Sequence, residues 1–349
     1  MERIRRYKVC GSEEPLVSDL FKELGEEAGC KALARALYTG IAGDPFLRPL
    51  FPGKSLRCAT EEFSAFLVQF FDGDEVQTQY RWWLSLRESH ARFEISQVQR
   101  AAWMGHMIQA LSNHVSRPES QAHLGAFFFK ASMYVIGRET DLGLTGELAE
   151  RWARQLAVDA LVQALLDGDD DRAISLAREQ ASRNGVFVGI LARMLDVNRQ
   201  PLADFALESL RQDPTLSVHR FSGRTLLHFA AGSGSVPLVR QLLSMGVDPD
   251  GLDSGGHTAL YRVASCRKPE SGPEIVDDLV RAGAKVNHAA GMMKSTPLHE
   301  AARHGNVAVA KALLNQGADP HLKDRKGLTP LDRAINCRRR EVAAVLSGR

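Results

Sequence analysis

The chain has 349 residues, 44% hydrophobic and 25% charged, with a net charge of +2. That length predicts two or three domains, and that balance predicts an ordinary soluble globular protein. A charge this close to neutral gives no case for nucleic acid or an anionic membrane as partner. No apolar stretch approaches the roughly 18 residues needed to span a bilayer. The five cysteines (Cys10, Cys30, Cys58, Cys266 and Cys337) form no CxxC pair. Their scatter argues against a disulfide framework and a structural zinc site, and the odd count fits a reducing cytoplasm.

Residues 1–14 are polar, and the basic start has no apolar run behind it, so this stretch reads as a solvated tail. After Pro15, Leu16, Leu20, Phe21 and Leu24 set a helical rhythm that Gly25 interrupts. Cys30, Leu33, Leu37, Tyr38 and Ile41 resume it, and Gly43, Asp44 and Pro45 close it. The next helix puts Ala59, Phe63, Phe66 and Phe70 on one continuous face. Such a face serves equally well as core or as the wall of a flat apolar cofactor. A short helix follows, carrying Leu86, His90 and Phe93. Trp103, Met107 and Leu111 then share the inner face of a long helix. Beyond Pro118, Leu124, Phe127, Phe128, Ala131, Tyr134 and Val135 mark another.

The stretch Ser89-His90-Ala91-Arg92-Phe93-Glu94-Ile95, with Trp103 thirteen residues past the histidine, resembles the proximal side of a truncated haemoglobin, a short two-over-two globin of the group II kind. The resemblance covers residues 15–138. It extends to Phe66-Leu67 within the helix before, and to Asp72-Gly73 beyond it. Where the family carries two glycines, a proline and a tyrosine, this chain has one glycine and a tyrosine at Tyr80. The resemblance implies haem b held by His90 as proximal iron ligand, with Ala59, Phe63, Phe66, Leu67 and Phe93 around it. It places Tyr38 and Trp103 as donors to oxygen or another diatomic ligand. No CxxCH is present, so such a haem is non-covalent. Ala59 stands where larger globins carry a gating histidine.

Residues 139–220 show four further helical patterns, from Leu144 to Leu166, Asp171 to Gln180, Gly185 to Val197 and Leu202 to Arg211. They read as a helical bridge, as degenerate units of the array that follows, or as its cap. A flexible linker is disfavoured by their leucine and alanine content.

From Phe221 onward the chain repeats itself. Thr225-Leu226-Leu227-His228, Thr258-Ala259-Leu260-Tyr261, Thr296-Pro297-Leu298-His299 and Thr329-Pro330-Leu331-Asp332 align, with their threonines 33, 38 and 33 residues apart. They resemble the ankyrin repeat, whose core is TPLHxA. The second copy lacks Pro and His, and an insertion from Cys266 to Pro273 lengthens it. Thr and Pro suit a helix start, and His228 and His299 read as structural links between repeats. Residues 221–349 are therefore expected to bind an unidentified protein. The expected turn tips include Arg220, Asp253, Ser254, His257, Met292, Met293, Lys294, Asp324, Arg325 and Lys326.

The whole reads as an all-α chain: a truncated globin fold, a helical bridge and an ankyrin-repeat solenoid. The expected function is gas binding or haem-based sensing coupled to protein binding, in the cytoplasm, with no catalytic residue set. The other readings are a haem redox enzyme for peroxide or nitric oxide, localised by the array, and a haem-less scaffold. No GxGxxG follows a strand, so a reductase would be a separate protein.

Overall fold

The computed structural model describes residues 16–51, 55–71, 86–90, 93–136, 143–181, 184–265 and 270–348. The expected tail of residues 1–14, the Asp72-Gly73 turn, Arg92, Tyr80 and Cys266 lie outside the described residues. The chain is all-α, and its contacts divide it into two compact units, residues 1–168 and 169–349.

The first unit starts with α1 (Val17–Leu24), which ends on Gly25 at φ 85, a left-handed conformation that a side chain disfavours. α2 (Glu26–Ala42) leaves directly from that turn. α3 (Arg57–Phe71) and the five-residue α4 (Leu86–His90) follow. α5 (Gln97–His114) opens with a capping box in which Ser96 and Gln99 satisfy each other's backbone amides. α6 (Pro118–Val135) begins on a proline, whose missing N–H is no loss at a first helical position. α2 packs on α3 and α5, and α5 on α6. The α2–α5 approach depends on Gly40, where a Cβ would lie 2.5 Å from Nδ1 of His106. The other nitrogen of that ring bonds the Asp44 carboxylate at 2.8 Å, tying α5 to the end of α2.

The core of this unit combines Leu33, Leu37, Leu67, Phe71, Met107, Leu111, Leu124 and Phe127, all nearly or fully buried. A further helix, α7 (Gly146–Asp167), completes it. Its Trp152 is buried against Phe70, Phe127 and Tyr134. Arg151 donates to the Phe70 carbonyl at 2.8 Å, satisfying a last-turn acceptor of α3. Glu147 accepts from the Val17 amide at 2.9 Å, at the start of α1.

The expected bridge of residues 139–220 is thus divided. α7 belongs with the first unit because its apolar face is buried in that core. α8 (Asp170–Arg178), α9 (Asn184–Val197) and α10 (Gln200–Gln212) belong with the second. There the helices pair as α11 (Leu226–Ser233) with α12 (Val236–Ser244), α13 (Ala259–Val263) with α14 (Gly272–Arg281), α15 (Pro297–His304) with α16 (Val307–Asn315), and α17 (Pro330–Asn336) with α18 (Arg340–Leu346). The first helices of successive pairs stack on one another, as do the second helices. α9 stacks on α11 and α10 on α12, so α9–α10 is one more layer of the same solenoid. A two-residue antiparallel ribbon, Arg220–Phe221 with Arg224–Thr225, forms the first turn.

Each repeat is wired by its motif residues. Thr225, Thr258, Thr296 and Thr329 all sit at the N-cap of a first helix. The His228 Nδ1 pairs with the Thr225 hydroxyl at 2.8 Å and its Nε2 donates to the His257 carbonyl of the next repeat at 3.0 Å. His299 repeats this with Thr296 and with the Leu328 carbonyl, at 2.8 and 3.0 Å.

Candidate functional site

Six segments of the first unit enclose a cavity of about 500 Å³, within the size range of small-molecule and cofactor pockets. α2 contributes Tyr38, and α3 contributes Cys58, Ala59, Glu62, Phe63 and Phe66. α4 and the extended stretch behind it contribute Leu86, Ser89, His90, Phe93 and Ile95. α5 adds Gln99, Arg100 and Trp103, and α6 adds Phe128, Ala131 and Ser132. Leu47, Leu50 and Phe51, between α2 and α3, complete that side. Of the eight residues singled out from sequence, seven line this cavity: Tyr38, Ala59, Phe63, Phe66, His90, Phe93 and Trp103.

Leu67 does not. It is fully buried in the core. One step along a helix turns the side chain by about 100°, so Leu67 leaves the face that Phe66 shares with Phe63. Phe70, expected on that face, also turns inward, packing 4.7 Å from Phe127, ring centre to ring centre.

His90 ends α4. Its Nδ1 lies 2.8 Å from the Leu86 carbonyl and 2.9 Å from the Ser89 hydroxyl, and that hydroxyl donates to the same carbonyl at 2.7 Å. A carbonyl can only accept, so in the neutral ring Nδ1 carries the proton and Nε2 keeps its lone pair. This arrangement suits a metal-binding imidazole, whose ligating nitrogen is defined by the bond the other one makes. Phe93, expected on the same short helix, lies beyond its end in an irregular stretch, its ring 6.5 Å from the imidazole and 6.0 Å from Phe51.

Phe63 stands between the two polar aromatics. Its ring meets Tyr38 edge-on at 6.3 Å and Trp103 edge-on at 6.2 Å. Among the described residues neither the Tyr38 hydroxyl nor the Trp103 indole N–H has a hydrogen-bond partner. Burial, with the Glu62 carboxylate adding to it, pushes the Tyr38 phenol well above its ordinary pKa, so at neutral pH it is an O–H donor. The wall also holds polar groups that the sequence did not single out. Arg100 is buried, donates from Nε to the Ser132 hydroxyl at 3.0 Å, and lies 4.4 Å over the Phe129 ring. Cys58, Glu62, Ser89 and Gln99 complete the set. Only their positions relative to the assigned residues, such as Glu62 beside Phe63 and Ser89 beside His90, could have marked them.

An apolar chamber with one imidazole lone pair, a buried guanidinium and two aromatic donors fits haem. The macrocycle needs apolar walls, its iron needs a nitrogen, and its carboxylates suit a cation.

The repeat surface differs from expectation at two turn tips. Asp253 and Asp324 are buried rather than displayed. Asp253 accepts from the amides of Gly255 and His257 at 2.8 and 2.9 Å and pairs with Arg262. Burial is the largest single influence and would raise its carboxyl pKa, but the Arg262 bond, the His257 amide and the Arg262 charge together hold it below the usual range. Asp324 does the same with Lys326, Leu328 and Arg333. Both aspartates therefore fold their turns. Met292 remains among the most exposed apolar side chains.

Comparison with known proteins finds two matched regions, one on each side of the boundary at residue 168, and leaves residues 136–179 unmatched. Residues 19–135 match the model of the bacterial-like globin family, and residues 180–289 and 268–348 match ankyrin repeats. The second match starts at α9, well before Phe221, in agreement with the extra layer. Human ankyrin repeat and SOCS box protein 16 is 36% identical over 148 residues, 40% of this chain and 32% of that protein. The E3 ubiquitin-protein ligase Ufd4 of Drosophila melanogaster is 36% identical over 126 residues, 35% of this chain but 4% of its own length. The chain therefore spans at most about a third of these two relatives. Human cyclin-dependent kinase 4 inhibitor B is 34% identical over 119 residues, 34% of this chain and 81% of that protein. The chain belongs to the ankyrin-repeat proteins and carries, ahead of its repeats, a domain of the bacterial-like globin family.

Proposed function

We propose that the chain binds haem b through His90, holds oxygen or another diatomic gas there, and docks a protein partner on its repeats, acting as a gas binder or haem-based sensor in the cytoplasm. The observation that carries this reading is His90 itself: a cavity-lining imidazole whose Nδ1 is tied to the Leu86 carbonyl.

Held by His90, haem would supply the iron that takes up a diatomic ligand. The protein's part is to fix and select. The Leu86 and Ser89 oxygens fix the imidazole tautomer and hold the ring against rotation. Phe63, Phe66, Phe93 and Phe128 exclude water. Tyr38 and Trp103 offer O–H and N–H groups that no described side chain consumes, and these favour a ligand carrying partial negative charge over a neutral one. A hydrogen bond to a charged acceptor is worth about 1.5–3 kcal/mol. Arg100 supplies positive charge for a haem carboxylate. No described helix is long and apolar enough to cross a membrane.

The test is a haemin titration of the purified chain, followed by reduction and addition of carbon monoxide. Saturable uptake with a single sharp Soret band is expected. Unsaturable, broad absorption would favour the scaffold reading. Rapid turnover of peroxide or nitric oxide with a supplied reductant would favour a redox enzyme.

A further inference from the structure

The globin match ends at residue 135, yet a carboxylate that bonds the backbone of α4 comes from residue 159. Asp159 sits mid-way along α7 and is buried. Its Oδ1 accepts from the Leu86 amide at 2.8 Å and from the Gln155 side chain at 2.8 Å. Its Oδ2 accepts from the Tyr134 hydroxyl at 2.6 Å, on α6.

Leu86 is the first residue of α4, and its amide is one of those that a helix start leaves without an internal acceptor. Its own carbonyl, one residue's length away, is the group that holds His90 Nδ1 and the Ser89 hydroxyl. A five-residue helix cannot fix its own position, because one turn is too short to be stable alone. α4 is placed instead by the elements it packs on, α7 and α6. The Asp159 carboxylate bonds both α4 and α6 from α7.

We propose that Asp159 is a positioning residue for His90, acting through the Leu86 backbone, and that α7 is a working part of the haem site although it lies outside the globin-family match. The inference rests on the reading of His90 as the iron ligand. It makes the orientation of the imidazole depend on the helix from which the chain passes, at Gly168, into the repeat unit. Partners behind a metal-binding histidine typically alter metal affinity by about 10–100-fold when removed. Asp159 stands one step further back, so an effect at the lower end, about tenfold, is expected.

The test uses the full chain with Asp159→Leu, which keeps roughly the side-chain size but offers the Leu86 amide no acceptor, and with Tyr134→Phe, which removes one partner but leaves the Leu86 bond. Three readouts are taken: the iron–histidine stretching band of the reduced protein, the rate of haem transfer to an excess apoglobin acceptor, and hydrogen exchange of the Leu86 amide in the haem-free protein. Asp159→Leu is expected to shift or broaden the band, speed haem release about tenfold and expose the Leu86 amide to exchange. Tyr134→Phe is expected to do less on all three. A variant with an exposed Leu86 amide but the parent band and the parent release rate would overturn the positioning role alone. Failure of the parent chain to take up haem at all would overturn both this inference and the haem reading beneath it. Should Asp159→Leu not fold, Asp159→Ala with the same readouts decides: an exposed Leu86 amide with a shifted band supports the role, and an exposed amide with the parental band refutes it.

Discussion

Acid should loosen the repeats before it loosens the globin unit, and His228 sets the size of the effect. The ring is 3% exposed and its Nδ1 accepts from the Thr225 amide at 3.3 Å, so a proton there meets a donor. Burial is the main cause that pushes its pKa from 6.5 down to about 4. A base whose folded pKa lies below its unfolded value takes up protons more readily when unfolded. Its contribution is therefore complete above about 6.5 and is lost as pH falls from there towards about 4. At about pH 5 the loss amounts to roughly 2 kcal/mol from this ring alone. His299, lowered by the same burial, adds in the same direction. Glu300 and Asp324 are also held low, by Arg303 and Arg333 against burial, but such carboxylates keep their contribution down to their unfolded values near 4.5 and 3.8. The window between about pH 6.5 and 5 thus belongs to the imidazoles. All four tryptophans (Trp82, Trp83, Trp103 and Trp152) lie within residues 1–168. Urea unfolding followed by far-ultraviolet circular dichroism and by tryptophan fluorescence therefore separates the two units. The transition seen only by dichroism should move to lower urea between pH 7 and pH 5, and His228→Gln should flatten that dependence. A parent transition that stays put over this range would refute the reasoning.

Two further outcomes follow from the first unit. Tyr38→Phe and Trp103→Phe should each speed oxygen dissociation about ten- to hundredfold, the equivalent of one charge-assisted hydrogen bond; carbon monoxide release should change less, and parental rates for both gases in both variants would remove the donors from the site. Trp152→Ala should destabilise the fluorescence-detected transition by about 3–5 kcal/mol, and a fragment ending at residue 140 should unfold at lower urea than one ending at 168; equal midpoints would mean that α7 is dispensable.

Much of this molecule was legible because local chemistry and global fold agree. Gly25 breaks the first helical rhythm where a left-handed turn is made. The Thr-x-x-His spacing announces a cap and a link to the next repeat, and both are present. The histidine at 90 with its aromatic followers led to the cavity. What was not legible depends on partners that sequence does not name. Trp152 and Leu148 give α7 an apolar face, but nothing in that pattern says which unit it covers. Asp159 reads as an ordinary exposed acid on a charged helix until Leu86 and Tyr134 are brought to it. Asp253 and Asp324 read as turn tips, because the Arg262 and Arg333 that bury them lie nine residues on. Leu67 follows Phe66 in sequence, and only the helix phase separates core from cavity.

The central claim is that His90 is the iron ligand, and removing and restoring its imidazole tests that most directly. His90→Gly should lose the sharp Soret band of the reduced, carbon monoxide-treated protein and should regain it when free imidazole is added, because the cavity and the Leu86 carbonyl remain to receive the ring. A His90→Gly protein that keeps the parental spectrum without imidazole would contradict the account.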